Sequence, residues 1–432
     1  MHEAVDILSR YIRINTTNPP GNEAAGARFL ADIFEREGIE YRTYESDPGR
    51  VSIRAVIHGS GAKEPLILLN HMDVVPADPA GFSFDPFGGD VRDGYVCGRG
   101  ALDMKGIAVM QFMAFLALKR SGARPCRDLI FLATADEEEG GGKGGEFLLE
   151  NHFDDFRAGV VLNEGGYGIA GMVPDRVAML IAPAEKGPCW LRLTRRGVPG
   201  HGSAPHAQNA LERMTRALGR LLAADLPVII TPTTAAYFRD LASVWKFLAP
   251  YAEDGRPETL ARLLGESGLL GIPALNAMVR NTISLNMLAS GSKINMIPDF
   301  AEAKLDIRLI PGQKVGDFIS FVKETLADDE IMIEPILAAD ASASAIDTDD
   351  FIVLRDALQE HFPGSLVLLS LLSGFSDSRF FRERGIPVYG FCPIVITMDE
   401  LSTIHGNDER ISVGALARGC EVYEDVVRRL CK

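Results

Sequence analysis

The arrangement of apolar positions changes twice along the chain. From residue 23 onward, short apolar runs such as VSIRAVIHG, PLILLN, DLIFLAT and GVVLN alternate with segments of helical period such as EAAGARFLADIFEREG. The segment MKGIAVMQFMAFLALKR is apolar on nearly every side, as expected for a helix buried against a sheet. Nearly continuous apolar strands separated by helices predict an α/β domain with a doubly wound, largely parallel sheet.

A second pattern begins near residue 187. GPCWLRLTRRG and NTISLNMLAS alternate like half-exposed strands, EAKLDIRLI and IMIEPIL supply two more, and NALERMTRALGRLLAA and KVGDFISFVKETLADD are amphipathic helices. This predicts a smaller α+β domain with a four-stranded sheet and helices on one face. The first pattern returns with LVLLSLL, IPVYGF and SVGALARGCEVYEDVVRRL. We therefore expect one domain over residues 1–186 and 341–432, with residues 187–340 inserted into it, while the stretch 226–280 carries no readable role.

Length and composition limit the class of protein. A chain of 432 residues with 47% hydrophobic content predicts two well-packed domains. The net charge of −15, without a long basic run, argues against nucleic acid and anionic membranes. The six cysteines form no CxxC pair, which argues against a disulfide framework and a thiolate zinc site. The start, MHEAVDILSRYIRI, is amphipathic and unlike a signal peptide, so we expect a cytoplasmic location.

Ionisable residues follow three of the predicted strands. PLILLN leads to His71 and Asp73, DLIFLAT leads to the acidic run Asp136–Glu139, and GVVLN leads to Glu164. Because ligand sites of open α/β sheets lie beyond the carboxyl ends of the strands, these side chains should converge. Gathered carboxylates repel one another unless a cation compensates them.

Two further residues complete the candidate site. Asp103 precedes the buried helix, and His405, in STIHGNDERI, is the best candidate for a second histidine. A mixed set of imidazole and carboxylate groups suits zinc, and also manganese or cobalt.

Each of these residues also has a simpler explanation when taken alone. His71 could be a core histidine paired with Asp73, and Asp103 could cap its helix. Glu164 could mark a turn, His405 could be exposed, and the acidic run could be a solvated loop. These explanations are independent of one another, whereas a metal site accounts for all the residues together.

Other chemistries lack their sequence signatures. The chain has no HExxH zinc motif and no Walker phosphate loop. SGFSDS lacks the closing glycine of a serine-hydrolase elbow, and GYGIAG leads into no convincing helix for dinucleotide binding.

The motifs resemble a known family in their order along nearly the whole chain. They are HMDVVPADPAGFSFDPFGGDVRDGYVCGRGALDMKG, ATADEEEGG, NEGG, GVPGHGSAPH, INMIP and HGNDERI. The chain is similar to the family of dizinc amidohydrolases and peptidases that includes aminoacylase-1, glutamate carboxypeptidase and succinyl-diaminopimelate desuccinylase. The resemblance implies a catalytic domain with an inserted lid and dimerisation domain, and two divalent ions, with zinc expected and cobalt or manganese possible.

The same resemblance implies a role for each ligand. Asp103 would bridge the two ions, His71 and Glu164 would complete one of them, and Glu138 and His405 the other. Asp73 would hold the His71 ring in place. A cis peptide bond is expected between Asp103 and Met104.

The resemblance also assigns different roles to the glutamates of the acidic run. In the family motif the first glutamate is the general base and the second is a ligand, which makes Glu137 the base and Glu138 the ligand. A slip of one residue would make Glu138 the base and Glu139 the ligand. The first register is favoured because Asp136 then matches the leading aspartate of the motif.

Three residues of the inserted domain match the family's contacts to substrate. His201 would stabilise the oxyanion, with His206 as a nearby competitor. Arg308 would bind a substrate carboxylate, and Asn295 would add a polar contact. The resemblance thus implies an amide hydrolase that releases an amino acid from N-acyl amino acids or from the C-terminus of short peptides, and that forms a homodimer through the inserted domain. The alternatives are a dipeptidase or aminopeptidase of the family, or a catalytically silent metal-dependent binding protein.

Overall fold

The computed structural model describes residues 2–432, so Met1, the first residue of the amphipathic start, lies outside the described residues. The β-strands are β1 (Glu40–Asp47), β2 (Arg50–Ile57), β3 (Leu66–His71), β4 (Asp90–Arg92), β5 (Tyr95–Cys97), β6 (Leu129–Thr134), β7 (Val160–Val173), β8 (Arg176–Glu185), β9 (Gly187–Arg196), β10 (Gly200–His201), β11 (Thr282–Ser290), β12 (Met296–Ile297), β13 (Phe300–Leu309), β14 (Ile331–Ala338), β15 (Leu366–Leu372), β16 (Val388–Thr397) and β17 (Arg410–Ser412). The α-helices are α1 (His2–Ile12), α2 (Glu23–Arg36), α3 (Lys105–Ser121), α4 (Phe147–Asn151), α5 (Ala210–Leu222), α6 (Pro232–Leu241), α7 (Ala249–Asp254), α8 (Pro257–Ser267), α9 (Pro273–Val279), α10 (Val315–Leu326), α11 (Asp349–His361), α12 (Ser378–Arg382), α13 (Met398–Leu401) and α14 (Val413–Leu430).

The chain divides into two compact units. The larger unit takes the chain up to Pro183, together with Ser344–Ser370 and Ser376–Lys432. The smaller unit contains Ala184–Ala343 and the short segment Leu371–Phe375.

A mixed sheet organises the larger unit. Over residues 2–432 this sheet has eight strands in the order β1-β2-β6-β3-β7-β16-β8-β15. Strands β6, β3, β7 and β16 are parallel, whereas β1 and β2 form an antiparallel edge. Together with the inserted α+β unit, this largely parallel sheet confirms the predicted fold class.

The core of the larger unit forms where the apolar runs predicted it. Every residue of β3 and of β6 is buried. Phe131 of β6 contacts Phe34 of α2 and Phe112 and Phe115 of α3, with ring centroids 5.4 to 6.0 Å apart. Burying one such ring contributes about 2 to 3 kcal/mol, which holds these helices on the sheet.

The smaller unit alternates along its strands as the sequence predicts. Its antiparallel sheet has the order β11-β13-β9-β14, four strands within the described chain. On β13, Leu305 and Ile307 point into a core shared with α5 and α10, while Asp306 and Arg308 lie on the opposite face. The stretch 226–280 forms α6 to α9.

One local expectation is wrong. Glu164 lies inside β7 and does not follow its end, because the strand continues to Val173. Gly165 and Gly166 have positive φ angles of 90° and 75°, and the pairing of β7 with β16 shifts register there. His405 follows the short helix α13, which separates it from β16.

Candidate metal centre

His71, the last residue of β3, is buried and surrounded by carboxylates. Its Nε2 atom lies 3.2 Å from Asp103 Oδ1, 3.9 Å from Glu164 Oε1 and 4.0 Å from Glu137 Oε2. Its Nδ1 atom lies 3.0 Å from the backbone carbonyl oxygen of Asp73. A hydrogen bond from Nδ1–H to that carbonyl fixes the ring and leaves Nε2 available to a ligand.

Asp103 lies between two histidines. Its second oxygen, Oδ2, is 3.1 Å from Nε2 of His405, which is also 3.3 Å from Oε2 of Glu138. The peptide bond from Asp103 to Met104 is cis, as the family resemblance implies. One carboxylate oxygen therefore faces each imidazole.

The loop after β6 separates the four acids into different environments. Asp136 is buried in the left-handed conformation, with φ of 69°, and Glu139 is exposed. The backbone N–H groups of Glu137 and Glu138 donate to the two oxygens of Asp73, at 3.2 and 3.1 Å. Asp73 thus orients the acidic loop with its carboxylate and the His71 ring chiefly with its backbone carbonyl.

Three residues near the N-terminus also hold this loop, and the sequence analysis did not identify them. Nη2 of Arg50 donates to Glu23 Oε1 at 2.8 Å and to Asp136 Oδ1 at 2.6 Å. Nδ2 of Asn18 donates to Asp73 Oδ2 at 2.8 Å and to Asp136 Oδ1 at 3.2 Å. Their one signal in the sequence is the turn-forming stretch NPPGNE that contains Asn18 and Glu23.

Glu409 is another residue that sequence reasoning missed. It is fully buried, and its Oε1 atom accepts the backbone N–H groups of Leu102 and Asp103 at 2.7 and 3.0 Å. Its Oε2 atom accepts from Gly100 N at 3.0 Å and from Arg99 Nη1 at 2.7 Å. Its position inside the motif HGNDERI, four residues after His405, was the available signal.

The electrostatics of the cluster call for added positive charge. Hydrogen bonds to Asp103 and Glu138 raise the pKa of His405 to about 10. Burial, and then the neighbouring carboxylate of Glu164, raise the pKa of Glu137 well above its usual range. The shift of His405 reflects the two carboxylates beside it, and the shift of Glu137 reflects burial first and the charge of Glu164 second.

The donor atoms fit divalent metal ions. His71, Glu137 and Glu164 offer atoms within 4.8 Å of one another, and so do His71, Asp103 and Glu138. Oε1 of Glu138 is buried and has no hydrogen-bond partner among the described residues. A buried carboxylate oxygen without a partner is costly, and a metal ion would satisfy it.

Two of the remaining candidates lie together in the smaller unit. His201, on β10, is exposed, and its Nδ1 atom accepts the backbone N–H of Ser203 at 3.1 Å. This bond places the proton of the neutral ring on Nε2. The backbone carbonyl of Asn295 accepts the N–H of Gly202 at 2.9 Å, so the segments of His201 and Asn295 are adjacent.

Arg308 belongs to a different cluster of the smaller unit. Its guanidinium is paired with Asp306, and it lies 4.6 Å from the ring centroid of Phe375 and 5.6 Å from that of Trp190.

The largely parallel sheet and the cluster of imidazoles and carboxylates define an α/β protein with a candidate metal centre. Comparison with known proteins gives the particular family: peptidase family M20/M25/M40 matches residues 67–429, and the chain belongs to this family. The resemblance seen in the motifs is thereby confirmed, and the family's reaction is metal-dependent hydrolysis of N-acyl amino acids or peptides.

Individual relatives agree with this membership. The chain is 30% identical to N-fatty-acyl-amino acid synthase/hydrolase PM20D1 of Xenopus tropicalis, over 84% of this chain and 72% of the relative. It is 27% identical to aminoacylase-1 of Sus scrofa, over 99% of this chain and 95% of the relative. Among solved structures, an M20 family metallo-carboxypeptidase from Sulfolobus solfataricus superposes with a TM-score of 0.77 at 18% identity, covering 99% of both chains.

The helices were also compared with the requirements of a membrane span. Among those that the structure describes, none has both the length and the hydropathy needed to cross a bilayer.

Proposed function

We propose that the chain binds two divalent ions, zinc in the first instance, and releases an amino acid from an N-acyl amino acid or from the C-terminus of a short peptide. The observation that carries the proposal is the carboxylate of Asp103. Its Oδ1 atom lies 3.2 Å from His71 Nε2, and its Oδ2 atom lies 3.1 Å from His405 Nε2. Two cations could therefore share this carboxylate, each with a histidine on its outer side. Cobalt or manganese would suit the same donors.

The remaining ligands follow from their neighbours. Glu164, 3.9 Å from His71, is assigned to the ion on that side, and Glu138, 3.3 Å from His405, to the other. Glu137, whose Oε2 atom lies 4.0 Å from His71 Nε2, takes the role of general base because the family resemblance assigns it to the first glutamate of the motif. The alternative register, with Glu139 as a ligand, is disfavoured because Glu139 is exposed whereas the side chain of Glu138 is only 6% exposed.

Glu137 performs the proton transfers in this proposal. When bound, two such ions supply a water of lowered pKa and polarise the scissile carbonyl group. The carboxylate of Glu137 takes the proton of the attacking water and later donates it to the departing amine.

Residues of the smaller unit act on the substrate. His201 Nε2–H is the proposed donor to the tetrahedral oxyanion, because its Nδ1 is already occupied as an acceptor. Arg308 is the proposed contact for the substrate carboxylate, and Asn295 adds a polar contact. The resemblance favours N-acyl amino acids and C-terminal peptide bonds, because Glu164 stands where aminopeptidase members carry aspartate. The similarity to proteins named as an N-fatty-acyl-amino acid synthase/hydrolase and an aminoacylase supports the same class.

Glu137→Gln tests the proposal because it removes the base while keeping the volume of the side chain. We expect turnover of N-acetyl amino acids to fall by at least about 10³-fold, while metal content, measured by elemental analysis, stays the same. Glu139→Gln is the matched control, since it removes the charge of an exposed neighbour, and it should retain activity.

The outcomes separate the alternatives. Unchanged turnover in Glu137→Gln would reject Glu137 as the base. Free dipeptides hydrolysed in preference to N-acetyl amino acids would establish the dipeptidase or aminopeptidase alternative. A wild-type chain that binds metal but cleaves neither class would establish a silent binding protein.

A homodimer through the smaller unit is part of the proposal. Strand β11 forms an edge of its sheet and exposes Met287 and Leu288, and unpaired edge strands readily pair with another chain. Sedimentation or light scattering of wild type and Met287→Lys would test it. The cytoplasmic location stays a prediction.

A further inference from the structure

The guanidinium of Arg308 already holds a carboxylate of this chain. Its Nε atom donates to Asp306 Oδ1 at 2.6 Å, and its Nη2 atom donates to Asp306 Oδ2 at 3.0 Å. The two side chains project from the same face of β13 and are 20% and 28% exposed. Asp306 therefore occupies one edge of the guanidinium in the bidentate manner in which a substrate carboxylate would bind.

Aromatic side chains keep this ion pair in a fixed geometry. Trp190 Nε1 donates to Asp306 Oδ1 at 2.9 Å, so Asp306 is held independently of Arg308. The rings of Trp190 and Phe375 contact each other edge to face, with centroids 5.9 Å apart, and the guanidinium lies within 5.6 Å of both. The four side chains of this cluster therefore hold one another in place.

The Nη1 group of Arg308 is available to bind a second carboxylate. Arginine carries five N–H groups. Asp306 engages Nε and Nη2, and the Nη1 group makes no hydrogen bond within the described part of the chain. A substrate carboxylate can therefore add to Arg308 without displacing Asp306.

Lys186 is a second basic group of the smaller unit, and its ammonium already has partners within the chain. It is buried, and its Nζ atom donates to the backbone carbonyl of Arg280 at 2.8 Å and to Thr282 Oγ1 at 3.0 Å. Burial, helped by the charge of Arg308, lowers the pKa of Lys186 to about 7.

The ion pair between Arg308 and Asp306 changes how much catalytic efficiency is lost when a substrate has no carboxylate. A site whose polar groups are left unpaired by an analogue rejects that analogue by about 10⁴-fold to 10⁵-fold. Here Arg308 stays paired with Asp306 when the substrate has no carboxylate. The loss of catalytic efficiency for such a substrate is therefore smaller.

We infer that Asp306 determines how strongly Arg308 discriminates between substrates with and without a free carboxylate. We also infer that N-acyl amino-acid carboxamides are a second substrate class of this chain. The inference rests on the proposed role of Arg308 as the carboxylate contact. Asp306 is a specificity-determining residue that acts through Arg308, and Trp190 positions it.

The test compares kcat/KM for an N-acetyl amino acid and for its carboxamide. The ratio of the two values should stay below about 10³ in the wild type. Asp306→Asn keeps the shape of the side chain and removes its charge, and it should raise the ratio at least about tenfold, because the substrate carboxylate becomes the only anionic partner of Arg308. Trp190→Phe removes the donor to Asp306 and should change the ratio in the same direction. Asp329→Asn, an exposed position of the same unit, is the control and should leave it unchanged.

A binding measurement supports the kinetics with an independent readout. The chain has two tryptophans, Trp190 and Trp245, so Trp245→Phe leaves Trp190 as the reporter beside Arg308. In a Trp245→Phe, Glu137→Gln background the substrate is not consumed, and fluorescence titration gives the affinities of the acid and the carboxamide. Asp306→Asn should again widen the difference between them by at least about tenfold.

Arg308→Met separates this inference from the function on which it rests. If Arg308→Met abolishes the preference for the acid while Asp306→Asn leaves the ratio unchanged in both assays, the inference about Asp306 is overturned and the role of Arg308 stands. A wild-type ratio of 10⁴ or more would overturn it as well. An unaltered ratio in both variants rejects Arg308 as the carboxylate contact and the inference with it.

Discussion

Glu409 accepts the backbone N–H of Asp103 at 3.0 Å, although 306 residues separate the two in sequence. The same carboxylate binds Arg99 at 2.7 Å, and its side chain is fully buried. The segment of His405 is thereby tied to the loop of Asp103, so the two segments that face each other in the candidate metal centre are held by one buried side chain.

Glu409→Gln should weaken metal binding. The amide keeps the volume but can no longer accept at both oxygens, so at least one backbone N–H of the Asp103 loop loses its partner. Changes in groups that orient ligands typically cost 10-fold to 100-fold in metal affinity, and we expect a loss in that range by competition with a chelating indicator. Glu421→Gln, which alters an exposed pair with Arg418 on α14, is the control and should keep the wild-type affinity.

Arg50 should be needed for the stability of the acidic loop. It is 7% exposed and compensates the buried carboxylates of Glu23 and Asp136. Arg50→Met leaves both charges unpaired, and breaking a buried pair costs about 3 to 5 kcal/mol of unfolding free energy. Because Asp136 directly precedes Glu137, we also expect a fall in kcat. Urea unfolding and steady-state kinetics measure the two effects.

Arg42→Met is the matched control for this prediction. Arg42 lies on the neighbouring strand β1 and pairs with Asp155, with 59% and 35% of the two side chains exposed. Exposed pairs contribute at most about 1 kcal/mol, so a similar loss in both variants would contradict a special role for Arg50.

The sequence predicted which strands carry the candidate metal-binding residues. β6, β3 and β7 are neighbours in the sheet, and their apolar runs were recognisable because every position of β3 and β6 is buried. His71 and the acidic run follow directly from those runs. Glu164 was found at the right point of the chain, but the extension of β7 past it was missed because Gly165 and Gly166 interrupt the apolar pattern.

The supporting residues could not be predicted in the same way. Asn18, Arg50 and Glu409 are polar residues of types that usually lie on the surface, and nothing in their local pattern indicates burial. Their partners lie 27 to 310 residues away, as in the bonds from Arg50 to Glu23 and from Arg99 to Glu409. Only the assembled tertiary structure makes these contacts visible. The pair between Asp306 and Arg308 was missed for a different reason, since alternation along β13 places both on one face but does not indicate that they bind each other.

His201 should contribute through the oxyanion. His201→Ala is expected to lower kcat on the order of a hundredfold with unchanged metal content, because one donor to the tetrahedral oxygen is lost. His206 is the control: its Nδ1 accepts the backbone N–H of Gln208 at 3.3 Å and it packs against Gly200. His206→Ala should lower kcat less than about tenfold. A larger effect in His206→Ala than in His201→Ala would exchange the two assignments.

Lys186 should make the smaller unit more stable at high pH. Burial lowers its pKa from 10.5 in the unfolded chain to about 7 in the folded chain. Between these values the unfolded state binds more protons, so the free energy of unfolding rises as pH rises from about 7 toward 10.5, and below pH 7 the full penalty of the buried charge remains.

Comparison with Lys186→Met measures this contribution. From pH 7 to 9.5 the wild type should gain on the order of 2 to 3 kcal/mol relative to the variant, since each pKa unit corresponds to about 1.4 kcal/mol. Both tryptophans, Trp190 and Trp245, lie in the smaller unit, so their fluorescence in urea reports its unfolding. Lys323→Met removes an exposed lysine of the same unit and controls for the loss of one charge. Parallel stability curves for the wild type and Lys186→Met over this pH range would show that Lys186 stays protonated in the folded chain.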